Sequence, residues 1–152
     1  MHFPPTNGGT MQDAERNHDL DALVGSWATE ATHPELPSIV VAGEVVFEWL
    51  EGERFLIQRA RTDHPQFPDS IAIIGGPAGG PLMHYFDSRG VQRVYEMSFD
   101  DGTWRLSREA PGFSQRFEGT FADGGASITG LWKLSRDGSS WDDDLAITFR
   151  RS

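Results

Sequence analysis

The sequence contains no cysteine, which removes disulfides, thiolate nucleophiles, zinc–thiolate sites and iron–sulfur clusters together. Lysine is nearly missing as well. Lys133 is the one lysine among 13 basic residues, and it lies in a stretch that reads as strand, a poor setting for a Schiff base or a phosphate grip. Positive charge is scarce overall: 13 Lys and Arg face 23 Asp and Glu, for a formal charge of −10 and a pI near 4.8. Such a surface repels phosphate backbones and anionic lipid, so neither nucleic acid nor a membrane is the expected partner. The sign of an interior pocket is not set by net charge. No apolar run approaches the ~18 residues of a membrane span. The first residues, with Pro4-Pro5 and Gly8-Gly9, show neither the basic nor the apolar part of a secretory signal. The expectation is a cytoplasmic protein with a disordered tail over residues 1–12 and one domain over 13–152.

What is present is aromatic and glycine-punctuated. Between Asp13 and Val24, Leu20, Leu23 and Val24 fall at i, i+3 and i+4, which predicts one short amphipathic helix ended by Gly25. After it come short runs rich in aromatic and β-branched residues, parted by turn signals every ~8 to 12 residues. They predict strands at Trp27–Thr32, Glu44–Leu50, Arg54–Thr62, Ser70–Ile74, Leu82–Asp87, Val91–Phe99, Thr103–Glu109, Ser114–Phe121, Ser127–Arg136 and Trp141–Arg150. Connectors such as Glu51-Gly52, Asp101-Gly102 and Asp137-Gly138 are of hairpin length. Successive strands should pair antiparallel, and about ten of them in one domain avoid two open edges by closing. The expected fold is all-β: a single closed antiparallel up-and-down barrel with a short N-terminal helix.

Alternation assigns faces. Val45, Phe47 and Trp49 share the inner side, leaving Glu44 and Glu48 outside, so those carboxylates are not read as an acid–base pair with Glu96. Phe55 and Ile57 lead to Arg59 on one face, read as inward. Arg93 precedes Tyr95, Met97 and Phe99, and Leu145, Ile147 and Phe149 complete the pattern. A barrel of this size holds either packed side chains or one small ligand.

In order along the chain, the segments Leu23-Val24-Gly25-Ser26-Trp27, Phe55-Leu56-Ile57-Gln58-Arg59 and Tyr85-Phe86-Asp87-Ser88-Arg89-Gly90 resemble the lipocalin-like (calycin) β-barrels. So do Val94-Tyr95-Glu96-Met97, Phe117-Glu118-Gly119-Thr120-Phe121 and Ile128-Thr129-Gly130-Leu131-Trp132. The likeness spans Leu20 to Arg150 and is nearest to an uncharacterised bacterial family of small lipocalin-like domains, with more distant likeness to nitrobindin and fatty-acid-binding barrels. It implies that Trp27 closes one barrel end and that Arg150 or Arg151 packs over it. The nitrobindin likeness would imply haem, whose iron needs an axial histidine from the C-terminal part of the barrel. No histidine follows His84, so no cofactor is expected. Fatty-acid-binding barrels hold a carboxylate with an Arg and a Tyr, a pairing that Arg59, Arg93 and Tyr95 resemble. Each arginine either points inward to an anion or snorkels at a rim.

Other constellations are weaker. His84 sits on a strand beside Met83 and Tyr85, and with Tyr95 it is the candidate for proton transfer. His33 and His64 lie in proline-containing loops, without the spacing of a metal site. Gly75 to Gly80 lacks the lysine and following helix of a phosphate loop, no G-x-S-x-G elbow occurs, and Asp142-Asp143-Asp144 lacks calcium-loop spacing. The leading expectation is a barrel binding one small hydrophobic molecule, with or without a carboxylate. Its lining would be Phe47, Trp49, Phe55, Ile57, Tyr85, Tyr95, Met97 and Trp132, with Arg59, Arg93 and Tyr95 at the polar end. The alternatives are a small barrel enzyme and a packed barrel acting as a homodimeric module.

Overall fold

In a computed structural model, which describes residues 17–77 and 80–152, ten strands follow an N-terminal 3₁₀ turn. They are β1 (Gly25–His33), β2 (Leu36–Trp49), β3 (Phe55–Thr62), β4 (Ser70–Gly75), β5 (Leu82–Asp87), β6 (Gln92–Asp100), β7 (Thr103–Arg108), β8 (Ser114–Ala122), β9 (Ser127–Ser135) and β10 (Asp142–Arg151). Each pairs antiparallel with its sequence neighbour, and β1 pairs with β10 from Trp27↔Arg151 to Thr32↔Ala146, so the sheet closes. Closure leaves no sheet edge to pair with another chain. Turn chemistry enforces the meander. At the β6–β7 hairpin, Asp101 (φ 49°) and Gly102 (φ 73°) supply the two consecutive positive φ values of a two-residue reversal.

The up-and-down order gives the barrel two unlike ends. One is plugged by the 3₁₀ turn His18–Leu23, whose Asn17 side chain accepts from the Asp19 N–H at 3.0 Å. A longer helix over 13–24 is the sequence expectation. Only Leu20 and Leu23 are buried in the turn, a spacing of three that suits the three-residue period of a 3₁₀ helix. The part of that helix before Asn17 and the expected tail lie outside the described residues. The other end carries the loops 33–36, 62–70, 87–92, 108–114 and 135–142, and no helix or turn like the first end's covers it among the described residues.

Two sequence expectations change here. The second strand starts at Leu36 rather than Glu44, because Pro37 falls in an irregularity between the pairs Ala31↔Val41 and His33↔Leu36, where its missing N–H leaves no ladder bond unmade. The faces of β3 are also reversed. Leu56, Gln58 and Ala60 point inward, while Phe55, Ile57 and Arg59 point outward. Phe55-Leu56-Ile57 are all apolar, so alternation leaves the face undecided, and a one-residue slip flips every side chain. The hairpin settles it by pairing Phe47 with Gln58 and Trp49 with Leu56. Arg59 meets Glu48 across the outer surface in an exposed ion pair.

Large rings fill the plugged half: Trp27, Phe47, Trp104, Phe117 and Phe149 are all nearly inaccessible. The Phe117 ring lies against β9 so closely that a Cβ at Gly130 would stand 2.4 Å from it. Only glycine admits that approach.

Candidate functional site

Toward the open end the rings stop short of filling the barrel and leave a cavity of about 400 Å³. Its wall takes Val45 from β2, Gln58 and Ala60 from β3, Met83 and Tyr85 from β5, Arg93 and Tyr95 from β6, Trp104 and Leu106 from β7, and Trp132 from β9. Loop residues Phe67, Arg89 and Phe113, with Asp144, Leu145 and Ile147 of β10, complete the rim. Such a space suits a small apolar body with a few placed polar groups.

The polar groups of the wall fall into two sets. In the first, every group is held by a neighbour. Tyr95 donates its hydroxyl to Gln115 Oε1 at 2.9 Å, and its ring meets Trp132 edge-on at 5.6 Å. Burial pushes the Tyr95 phenol above its ordinary pKa, against the pull of the Arg93 and Arg108 guanidiniums. Tyr85 donates to Asp87 Oδ2 at 2.8 Å. That carboxylate also receives Arg89 Nη2 at 2.6 Å and Arg89 Nε at 3.2 Å, and the backbone N–H groups of Arg89 and Val91 at 2.9 and 3.3 Å. The Asp87 side chain has no exposed surface. The Arg89 guanidinium, with Tyr85 and the two amides, holds its carboxyl well below the usual range, while burial and then Asp87 drive the Tyr85 phenol far up. At the rim His33 Nδ1 accepts from the Glu35 N–H at 3.1 Å, so the ring proton sits on Nε2 and faces Asp144 Oδ1 at 3.0 Å.

In the second set, among the described residues, no carboxylate answers the cation and two deeper groups have no partner. Arg93 shares a hydrogen bond with the Tyr95 hydroxyl. Arg93 lies over the Phe113 ring at 5.2 Å, and among the described residues no carboxylate comes within ion-pair distance of it. Phe113 is held in turn by Arg108, whose Nη1 donates to its carbonyl at 2.9 Å. Deeper in, Gln58 Oε1 and Trp104 Nε1 are buried without a hydrogen-bond partner.

Of the residues singled out from sequence, Tyr85, Arg93, Tyr95 and Trp132 come together on this wall. Phe47 and Met97 are buried in the core beside it. Trp49 sits at the plugged end, with its Nε1 donating to Asp21 Oδ1 at 3.0 Å. Phe55, Ile57 and Arg59 are outside, and so is His84. Met83 and Tyr85 turn inward on β5, and the pleat therefore sends His84 out to solvent. His84 cannot transfer protons in the cavity. Gln58, Asp87, Trp104 and Gln115 were not anticipated. Trp104 carried a readable signal, two residues before Leu106 in an alternating run. Gln58 did not, because it was assigned to the wrong face.

No family model matches the chain, and no curated protein matches it. Among solved structures it is similar to Rv2717c from M. tuberculosis, at 18% identity and a TM-score of 0.64 over 93% of this chain and 99% of that one. It is also similar to the S-type phycobiliprotein lyase CPES from Guillardia theta, at 10% identity and a TM-score of 0.59, over 88% of this chain and 90% of that one. Both are ten-stranded antiparallel barrels. At these identities the likeness is one of fold alone.

Proposed function

We propose that the protein binds one small amphipathic acid in the open-end cavity, with its apolar body against Met83, Leu106 and Trp132 and its carboxylate at Arg93. The observation that carries this reading is a guanidinium on the wall of a 400 Å³ cavity with no anion of the protein's own beside it. Arg93 is half-buried, and a ligand carboxylate offers its guanidinium the charged, bidentate partner that the Tyr95 hydroxyl and the Phe113 ring do not. Binding is favoured over proton transfer because His84 is outside and the Tyr95 hydroxyl is committed to Gln115.

The test uses decanoate and decanol as probes, read by calorimetry. Arg93→Gln should weaken decanoate by about tenfold, the worth of one screened charge contact, and leave decanol nearly unchanged. Arg59→Ala should change neither. Equal losses for both probes in Arg93→Gln would sink the assignment of the carboxylate to Arg93. Native mass spectrometry of freshly purified protein, with denaturing release, reads any acid that co-purifies.

A second reading, compatible with the first, is favoured by the outer surface. The β3–β6 face places Ile57, Ile73, His84 and Val94 in one row and Ile71 beside Phe86 in the next, with Phe55 and Leu82 at the border. Five of these apolar side chains are 37–47% exposed, which makes a contiguous patch on the order of 500 Å² on a chain of charge −10. That matches the apolar share of one side of a stable interface, roughly 800 Å² per partner. A second copy meeting this face about a two-fold axis covers it. Light scattering after gel filtration should give a dimer, and Phe86→Asp a monomer with an unchanged circular dichroism spectrum. A wild-type monomer at about 100 μM would exclude self-association through this face.

A further inference from the structure

We infer that the cavity contains a second polar subsite, made by the Trp104 indole N–H and the Gln58 amide, and that the ligand is therefore a hydroxylated carboxylic acid. The inference rests on the acid-binding reading of the cavity and specifies its ligand further.

Both residues belong to the wall, and each holds a polar atom, itself with almost no accessible surface, that nothing in the described protein satisfies. Neighbouring polar groups do not share this condition. The indoles of Trp27 and Trp49 reach Leu23 O at 2.8 Å and Asp21 Oδ1 at 3.0 Å, and the cavity tyrosines reach Gln115 and Asp87. Trp104 is 2% exposed and cannot turn to find an acceptor. Phe99 lies parallel to it at 6.2 Å, and Phe47, Phe117 and Phe149 stand around it at 6.1, 4.9 and 5.9 Å. Gln58 points inward between Leu56 and Ala60, with Ala72 its partner on β4, so an amide interrupts a wall that an apolar side chain would complete. Buried unmet donors and acceptors are rare in native proteins, and each calls for a partner, which beside a cavity is a ligand group or an ordered water.

The two groups also select the ligand chemistry. The indole is a donor only, and the amide oxygen is an acceptor. A hydroxyl suits either, since it accepts and donates through one atom. A second carboxylate would accept from Trp104 but place its charge against Gln58 Oε1, with no cation to offset its desolvation. An ammonium would donate to Gln58 and leave Trp104 unmet. With Arg93 nearer the mouth taking the carboxylate, the complementary ligand is an acid at one end and an alcohol further in.

The experiment compares octanoate, decanoate and dodecanoate with their ω-hydroxy counterparts, by calorimetry and by the indole N–H resonances in a ¹H–¹⁵N spectrum. The Trp104 resonance is identified by its loss in Trp104→Phe. At the chain length that fits, the hydroxy acid should bind about tenfold more tightly than the plain acid, because the plain chain leaves both groups unpaired. The Trp104 indole proton should move downfield with the hydroxy acid alone. Trp104→Phe and Gln58→Leu should each level the two acids, and Gln58→Leu serves if the ring substitution prevents folding. Equal binding of both acids at every length, or a preference that survives in both variants, overturns the subsite while leaving Arg93 as the carboxylate anchor. Failure of every acid to bind at millimolar concentration overturns the acid-binding reading itself, and the subsite with it.

Discussion

Trp27→Ala should cost about 3–5 kcal/mol of stability, the range for emptying a buried tryptophan site, against a total that for such domains is about 5–15 kcal/mol. Trp27 is fully buried and joins three parts of the chain. Its Nε1 donates to Leu23 O at 2.8 Å, which ties the 3₁₀ plug to β1. Its ring meets Phe149 of β10 edge-on at 6.3 Å. Over it, at 4.1 Å, lies the Arg151 guanidinium, which donates to the carbonyls of Val24, Ala22 and Gly125 at 2.7, 2.7 and 3.2 Å. Removing the ring therefore releases the plug, leaves the Leu23 carbonyl without its indole donor and takes away the surface that positions Arg151. Trp27→Phe should keep most of the packing and lose about 1 kcal/mol for the hydrogen bond. Urea midpoints of the two variants decide the matter. A loss under about 1 kcal/mol for Trp27→Ala would mean that the plug is not anchored through this ring.

Asp87→Ala is the second large effect, at about 2–3 kcal/mol near neutral pH, since a charge-assisted network rather than a single bond is lost. Its pH dependence follows from the directions of the shifts. The Asp87 carboxyl is depressed in the fold, so its contribution is present above the unfolded value of about 3.9 and is lost as pH falls from there toward the folded value. The wild type and Asp87→Ala should therefore converge below about pH 4. Tyr85 is raised, which has the opposite sense: its contribution is intact below the unfolded value of about 10 and is lost as pH rises toward the folded one. The chain has only two tyrosines, and both phenols are raised. Tyrosinate absorbance of the native protein should stay low at about pH 10.5, where free tyrosine is mostly ionised, and appear with unfolding. Ionisation of either residue near pH 10 in the folded protein would contradict the buried hydrogen bonds assigned to them.

Much of this was legible because it depends on local periodicity. Strict alternation in Val45, Phe47 and Trp49 and in Tyr95 and Met97 placed those side chains inside, as the structure has them, and turn residues placed the hairpins, while Arg93 stayed open between the interior and a rim. The ring over which an arginine packs was identified as Trp27, with Arg150 and Arg151 both open. The register Trp27↔Arg151 selects Arg151. Alternation fails where both faces are apolar. Phe55-Leu56-Ile57 is such a place, and the error carried Arg59 into the cavity and hid Gln58.

The sequence by itself determined the class, the number of strands, their antiparallel order and the need to close, since hydrophobic period and turn chemistry are properties of neighbouring residues. The tertiary structure decided which face of β3 looks inward, that His84 looks out, and that the rings fill only one half of the barrel. It also decided which polar groups find partners. Tyr85, Asp87 and Arg89 satisfy one another across the β5–β6 turn, whereas Arg93, Gln58 and Trp104 are brought to one cavity from β6, β3 and β7. Pairing across strands depends on register and burial, which no single run of residues encodes.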